Sequence, residues 1–407
     1  MLIKDFINVD KAGYPVSINW GTVKSVPQFA VLELCEQNPV WHKEGNAFIH
    51  TKQVVTAMHN LIKEFGCRTN NRLAHMLGPR DSLILMAAAL FHDIGKAVTT
   101  EFKNGNWHSY GHETESEKIT RSILWDEEYD LREAVCALVA LHMMPLTLTR
   151  NNFRKMMLKM ERRLTDGHFE YSPVNIEHLF LLKLADTEGS TMTDENRKAL
   201  DISLLRKCYY HMNSALLWNE RSLDEAFSEY DLKKAPYKVK EKRYGVILIG
   251  LPGAGKNYFL DNEFNGKLES ITGLHNPRVG TVSRDDIRTE LGYCGQGEKI
   301  IGTEEQEKSV TEKYYGKIDS LVKDCDVIVF NDMNIRIKYR HSYREYAERH
   351  KEYDWEWIYI YIEAQNLNTN INRRAGQISE KHFAEFTRIF DWPKPDEYDK
   401  FIVLKQK

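Results

Sequence analysis

Apolar residues in the first half of the chain recur at helical spacing. Between Phe48 and Phe65 they fall at Val54, Val55, Met58, Leu61, Ile62 and Phe65, the i, i+3, i+4 pattern of an amphipathic helix. The same period runs through residues 81–96, 113–125, 130–143, 174–189 and 195–217, broken by Gly66, Gly111, Pro145 and Gly189. No β alternation is visible before about residue 240, so residues 1–230 are predicted to form an all-α domain. Residues 231–243 (DLKKAPYKVKEKR) carry charge and Pro236 without a periodic apolar face, and are read as a linker. From Tyr244 the texture changes. Short apolar runs at 244–250, 278–283, 326–331, 355–362 and 400–404 alternate with helical stretches, as in βαβ units with a buried parallel sheet. Residues 244–407 are therefore predicted to be an α/β domain.

Composition adds boundaries to this picture. With 407 residues, 42% hydrophobic and 28% charged, each part can bury its own core, and a disordered or fibrous chain is excluded. The longest apolar run, Leu83–Phe91, falls short of the ~20 residues that span a bilayer. No membrane association and no signal peptide are expected. Six scattered cysteines with no C-x-x-C pair read as reduced thiols, so a cytoplasmic location is expected. Net charge is −3, with 26 Lys and Arg against 28 Asp and Glu from residue 241 onward. A protein that coats nucleic acid carries a basic excess. If this one handles nucleic acid, it grips a few phosphates near an end.

The segment Gly250-Leu-Pro-Gly-Ala-Gly-Lys-Asn257 fits G-x-x-x-x-G-K between a strand and a helix. Gly250, Gly253 and Gly255 let backbone N–H groups turn inward around phosphate oxygens, and Lys256 reaches the terminal phosphates. Asn257 departs from the usual Ser or Thr that holds Mg²⁺; its amide can ligate a hard cation but offers no hydroxyl. Ser283-Arg-Asp-Asp-Ile-Arg288 follows the second predicted strand, where functional loops of a doubly wound sheet lie. There Asp285 can accept a hydroxyl proton and Arg288 can hold a phosphate of the acceptor. Asp332, ending the run VIVFND, has three open uses: touching the metal, ordering Arg288 or meeting the acceptor. Arg373 and Arg374 lie in a polar stretch where a lid arginine can neutralise the transferring phosphoryl group.

These motifs (GLPGAGK, SRDDIR, VIVFNDMN and NRR) resemble the kinase of polynucleotide 5′-kinases, of the phage type and its bacterial relatives. The resemblance implies catalytic roles for Lys256, Asp285, Arg288 and one of Arg373 or Arg374, with ATP as phosphate donor and Mg²⁺ beside it.

In the helical part, Phe91-His-Asp-Ile-Gly-Lys96 ends an apolar helix, and adjacent His92 and Asp93 can face one metal. His50, His112, His142 and Asp186 are further candidate ligands. Imidazole and carboxylate together suit Mn, Fe, Co, Ni or Zn, and two such ions can share a water and clamp a phosphate. His42, His59, His75, His108, His168 and His178 are read as surface or core residues. The ordered set His…His-Asp…His…His…Asp resembles the HD phosphohydrolase superfamily. The local text HDIGK, GHE and LH resembles the HD domain of bacterial CCA-adding enzymes, whose branch removes 2′,3′-cyclic, 2′- or 3′-phosphates from RNA. By that resemblance His112 and His142 complete a second metal site and Lys96 contacts the substrate phosphate.

The two halves together resemble the HD-domain polynucleotide kinases, which heal RNA ends. The expected substrates are RNA or DNA ends bearing 5′-OH and 2′,3′-cyclic or 3′-phosphate, with sealing left to a separate RNA ligase. Two other readings stay open on the sequence. One is a small-molecule nucleoside or nucleotide kinase joined to a nucleotidase; the other is a nucleotide sensor without turnover, favoured only by Asn257.

Overall fold

The computed structural model describes residues 1–66, 77–147, 153–168, 173–192, 241–293, 302–363, 367–374 and 378–405. The helical pattern predicted at 195–217 and the linker residues 231–240 lie outside the described residues. The chain divides into two compact units, one of Met1–Thr165 with Tyr171–Tyr237, the other of Asp166–Glu170 with Lys238–Lys407.

The first unit opens with α1 (Ile3–Phe6), the antiparallel pair β1 (Ile7–Val9) and β2 (Pro15–Ile18), α2 (Trp20–Ser25) and α3 (Pro27–Val31). Then follow α4 (Ala47–Gly66), α5 (Pro79–Phe91), α6 (Lys96–Thr99), the pair β3 (Glu101–Lys103) and β4 (Asn106–His108), α7 (His112–Ile123), α8 (Tyr129–Leu141), α9 (Phe153–Thr165) and α10 (Ile176–Gly189). The two small β pairs and α9 depart from the sequence reading; strands of three or four residues are too short to display a period of two. Pro79 stands in the first turn of α5, and Asp81 accepts the Gly78 N–H at 2.9 Å, a start signal that fits a helix. Ile84 through Phe91 are all buried. Such a helix, apolar all round, belongs at the centre of a bundle, and α5 packs against α4, α8 and α10. The stretch Pro79–Thr99, long and apolar enough to cross a membrane, is 78% buried within this unit.

Charged groups also lie inside. Arg121 of α7 donates to Glu133 of α8 at 2.9–3.1 Å and to Glu117 at 2.8 Å. Glu117 also accepts from Arg163 of α9. Three helices are thus joined by a buried ionic network.

The second unit holds β5 (Glu241–Ile249), α11 (Lys256–Asn262), α12 (Phe264–Thr272), β6 (Val279–Val282), α13 (Arg284–Glu290), α14 (Glu304–Asp324), β7 (Val327–Phe330), α15 (Ile337–Ala347), β8 (Tyr353–Glu363), α16 (Leu367–Arg373), α17 (Glu380–Arg388) and β9 (Lys400–Lys405). The five strands form one parallel sheet in the order β6-β7-β5-β8-β9. All five predicted strands are present. β5 begins earlier than the sequence suggests, at Glu241, because it pairs in register with the extended start of β8, Glu241 opposite Tyr353. Lys242 meets Glu356 at 2.7 Å, and the buried Arg243 guanidinium lies 4.0 Å from the Tyr353 ring centre. Cross-strand partners thus draw three charged residues of the expected linker into the sheet. Central β5 delivers residues 250–257 at its carboxyl end, where such sheets bind ligands.

Candidate functional site

In the helical unit each candidate ligand stands at or near a helix end. His92 and His142 are the residues that close α5 and α8, and His112 opens α7. Their Nδ1–H groups donate to the carbonyls of Ala89, Val139 and Ser109 at 2.9, 2.7 and 2.8 Å. Those bonds fix the tautomer and turn every Nε2 inward as an acceptor. His50 of α4 has its Nδ1 in an ion-pair contact 2.9 Å from Glu44 Oε1.

The inward nitrogens form two groups. Nε2 of His50 and of His92 are 3.4 Å apart, and Asp186 Oδ1 is 3.0 Å from the first and 3.7 Å from the second. Nε2 of His112 and of His142 are 3.2 Å apart. Asp93 lies between: Oδ2 is 3.5 and 3.3 Å from His50 and His92, while Oδ1 is 3.2 and 3.8 Å from His112 and His142. Two imidazole nitrogens facing each other at this distance suit a shared cation between them. With ligand bonds of about 2.1 Å, neighbouring nitrogens around one ion fall roughly 3.0–3.4 Å apart. The two buried triads, His50–His92–Asp186 and Asp93–His112–His142, therefore fit a pair of divalent ions, with the Asp93 carboxylate near the histidines of both.

The charges agree. Burial opposes ionisation of Asp93 and Asp186, but His92 and Lys96 around the first, and Lys183 and His50 around the second, hold both carboxyls well below the usual range. Burial also opposes a charged His50, yet Asp186 and Glu44 raise it to about 9. That spot is built to hold positive charge. At His142, burial together with His112 and His92 keeps the imidazole neutral, the form a metal ligand needs.

Lys96, expected on the substrate phosphate, has its Nζ 2.7 Å from Asp93 Oδ2 and donates to Gln37 Oε1 at 2.7 Å. Gly95 sets that turn against α7. A Cβ there would lie 2.3 Å from the His112 carbonyl oxygen and 2.5 Å from Ser116 N, while the Gly95 N–H donates to Ser116 Oγ at 2.8 Å. Several partners escaped the sequence reading. Lys183 sits 2.5 Å from Asp186 Oδ2, at the i, i+3 helical spacing that is legible in sequence. Glu44, and His42 bonded to it at 2.8 Å, carry no such signal. His42, read above as bland, is packed 4.6 Å from the His50 ring, and burial lowers it to about 4 against the pull of Glu44.

In the second unit, Gly253 and Gly255 take φ of +77° and +94°, the region that glycine enters without strain. Lys256 folds back across the loop and donates to the carbonyls of Gly250 and Leu251 at 2.8 and 3.1 Å. Burial and the Arg374 charge lower it to about 8. The two candidate lid arginines differ: Arg373 donates to the Gly253 carbonyl at 3.1 Å, whereas Arg374 sets its charge against Lys256. Asn370 adds a bond to the Pro252 carbonyl at 2.9 Å. Asn257 accepts from Asn331, at the end of β7, at 3.1 Å.

Asp285 is exposed and accepts from Arg288 at 2.8 Å. Arg288 is also gripped on two nitrogens by Glu307 of α14, at 2.8 and 2.9 Å. The sequence gives no hint of that clamp, which occupies much of the fork assigned above to an acceptor phosphate. Asp332 accepts the Arg284 N–H at 2.9 Å and the Tyr314 hydroxyl at 3.0 Å. These contacts tether the start of α13 and do not reach Arg288, so they choose none of its three open uses.

A helical unit that converges four imidazoles and two carboxylates on one buried point, with Asp93 between the two groups, has the donor set of a metal centre. Residues 47–188 match the family model for the HD domain, a span that contains all six groups. No curated protein matches the chain. Similar solved structures are those of the protein APE1195 (20% identity, 40% of this chain and 87% of that one, TM-score 0.28), a fungal RNA kinase (14%, 41% and 76%, 0.28) and a sugar kinase from Janibacter sp. (14%, 40% and 85%, 0.26).

Proposed function

We propose that the chain heals broken nucleic-acid ends. The second unit phosphorylates 5′-OH ends with ATP, and the HD domain removes 2′,3′-cyclic, 2′- or 3′-phosphate. The observation that carries this reading is the pairing, in one chain, of the buried His/Asp centre around Asp93 with a glycine-rich loop whose Lys256 lies within the electrostatic reach of the Asp285 carboxylate. One module suits the 3′ side of a break and the other the 5′ side, and a separate ligase then seals the product.

The triads His50–His92–Asp186 and Asp93–His112–His142 would hold two divalent ions from the set Mn, Fe, Co, Ni and Zn, which would supply Lewis acidity and a water of lowered pKa. Asp93 holds both halves of the centre together, and Lys96 offsets its charge. The Nδ1 bonds keep each ring aimed, so the centre is organised before substrate arrives. In the kinase, Lys256 exchanges its two loop carbonyls for the β- and γ-phosphates of ATP, and Arg374 adds charge beside it. Asp285 takes the proton of the 5′-OH as that oxygen attacks in line. Asn257, supported by Asn331, would offer the Mg²⁺ that accompanies ATP an amide where a hydroxyl is usual.

The test uses a short RNA with 5′-OH and 2′,3′-cyclic phosphate ends, ATP, and Mg²⁺ or Mn²⁺, with both ends resolved by mass. The expected product gains a 5′-phosphate and loses the 3′-side phosphate; His92→Ala and Lys256→Ala each abolish one half. If neither end changes with metal-loaded protein, the reading fails.

A further inference from the structure

Beside the metal centre the helical unit contains a cavity of about 450 Å³, a volume typical of small-ligand sites. Its wall includes Gln37, His42 and Lys43 on one side and Phe102, Gly105, Asn106 and Trp107 on the other. Two of the first group stand one contact from candidate ligands: Gln37 binds Lys96, which lies on Asp93, and His42 binds Glu44, which lies on His50.

The opposite wall is a hairpin. Asn104 and Gly105 take φ of +54° and +80°, as a two-residue Asn-Gly turn requires. The turn pairs Phe102 directly with Trp107, their rings 5.1 Å apart. Phe102 remains 61% exposed. A large ring so exposed, beside a charged centre, is a surface waiting for another flat apolar group. Gln37 adds an independent mark. It is 92% buried, since only 8% of its surface is exposed, and Lys96 fixes which amide atom is oxygen. Its Nε2 has no hydrogen-bond partner, so a buried donor awaits an acceptor oxygen. An aromatic face and an orphaned donor around one cavity match a nucleoside: base and oxygen.

We infer that this cavity seats the terminal nucleoside of the phosphate-bearing end, with its base on the Phe102–Trp107 hairpin and an oxygen acceptor on Gln37 Nε2. The inference deepens the end-healing reading and rests on it for the polymer, but not for the base. Phe102 and Trp107 then determine specificity and set how strongly a base is preferred over a bare sugar phosphate.

The experiment compares a 3′-phosphorylated RNA trinucleotide with the same molecule carrying a tetrahydrofuran residue in place of its last nucleoside. The full-length, Mn²⁺-loaded chain is expected to favour the base-bearing end in kcat/KM by ten-fold or more. Phe102→Ala should collapse that ratio toward one, mainly through KM, while Phe102→Tyr keeps it. Equal use of both ends by the unsubstituted chain overturns the inference and leaves end healing standing, as does a preference that survives Phe102→Ala combined with Trp107→Leu. If neither RNA loses its 3′-phosphate, the removal of a 3′-phosphate in the end-healing reading fails. Calorimetric binding of adenosine 3′-phosphate and of ribose 5-phosphate, with and without Phe102→Ala, then decides the cavity by the same ratio.

Discussion

At His50 the imidazole is engaged on both sides, Nε2 inward to the centre and Nδ1 outward to Glu44. Glu44 in turn accepts the Thr191 N–H at 2.8 Å, so one carboxylate ties a ligand to the segment that follows α10. Carboxylate partners of this kind orient a ligand and raise its basicity, and their loss costs about 10–100-fold in metal affinity. Glu44→Gln is expected to weaken binding of the first-titrated Mn²⁺ by that range in calorimetry; unchanged affinity would remove Glu44 from the design. Gly95 makes a different residue-scale demand. A methyl group at this position collides with backbone atoms of His112 and Ser116 rather than with a flexible side chain, so α7 must shift. Gly95→Ala is expected to bind one Mn²⁺ per chain instead of two, because His112 leaves while His50, His92 and Asp186 stay. Direct metal analysis after dialysis checks this, and two ions retained would refute it. Of these residues, the six candidate ligands were legible in the sequence because they sit in ordered, helix-punctuating text. Glu44 and Gln37 were not, since they come from an irregular segment whose path only folding fixes.

The elements themselves were read from periodicity where they are long. α4, α5, α7, α8 and α10 and all five strands of the parallel sheet follow apolar patterns that local physics dictates. What escaped depends on partners: the start of β5, drawn out by β8, and the charged interior that joins α7, α8 and α9. That interior has a measurable consequence. Burial opposes ionisation of Glu133, but Arg121 and Arg132 lower it to about 2, and Arg163 and Arg121 lower Glu117 as well. A carboxyl depressed in the fold contributes stability that is complete above its unfolded value of about 4.5 and is lost as pH falls toward about 2. The helical unit should therefore lose thermal stability steeply across that window. Arg121→Met leaves two buried carboxylates short of their counter-charge, which costs about 3–5 kcal/mol at neutral pH. It should also flatten the acid dependence, because the remaining carboxyls then take up protons earlier. Calorimetric scans from pH 7 to pH 3 would show both effects, and a variant with unchanged melting and an unchanged acid limb would contradict the network's role.

At the scale of the whole molecule, the two candidate sites share no residue and offer different ligand atoms. The candidate hydrolase set runs from His50 to Asp186 and is dominated by imidazole nitrogen, which prefers Mn, Fe, Co, Ni or Zn over Mg²⁺. The candidate kinase set runs from Gly250 to Arg374 and includes amide and carboxylate oxygens of Asn257 and Asp332 among the described residues, the ligand type that suits Mg²⁺ carried on ATP. Chain order alone made this division legible, since each motif cluster lies within one of the two units. The clamp of Glu307 on Arg288 was not, because it joins α13 to α14 through folding. The division predicts unequal recovery from metal removal. A chain stripped by chelation and returned to Mg²⁺ alone should regain 5′-phosphorylation of RNA while leaving the 3′-side phosphate intact. Addition of Mn²⁺, Co²⁺, Ni²⁺ or Zn²⁺ should then restore phosphate removal, and His112→Ala should block that second recovery without touching the first. Mg²⁺ alone restoring both activities would mean that the imidazole nitrogens do not select the ion, and the two-triad assignment would have to be abandoned.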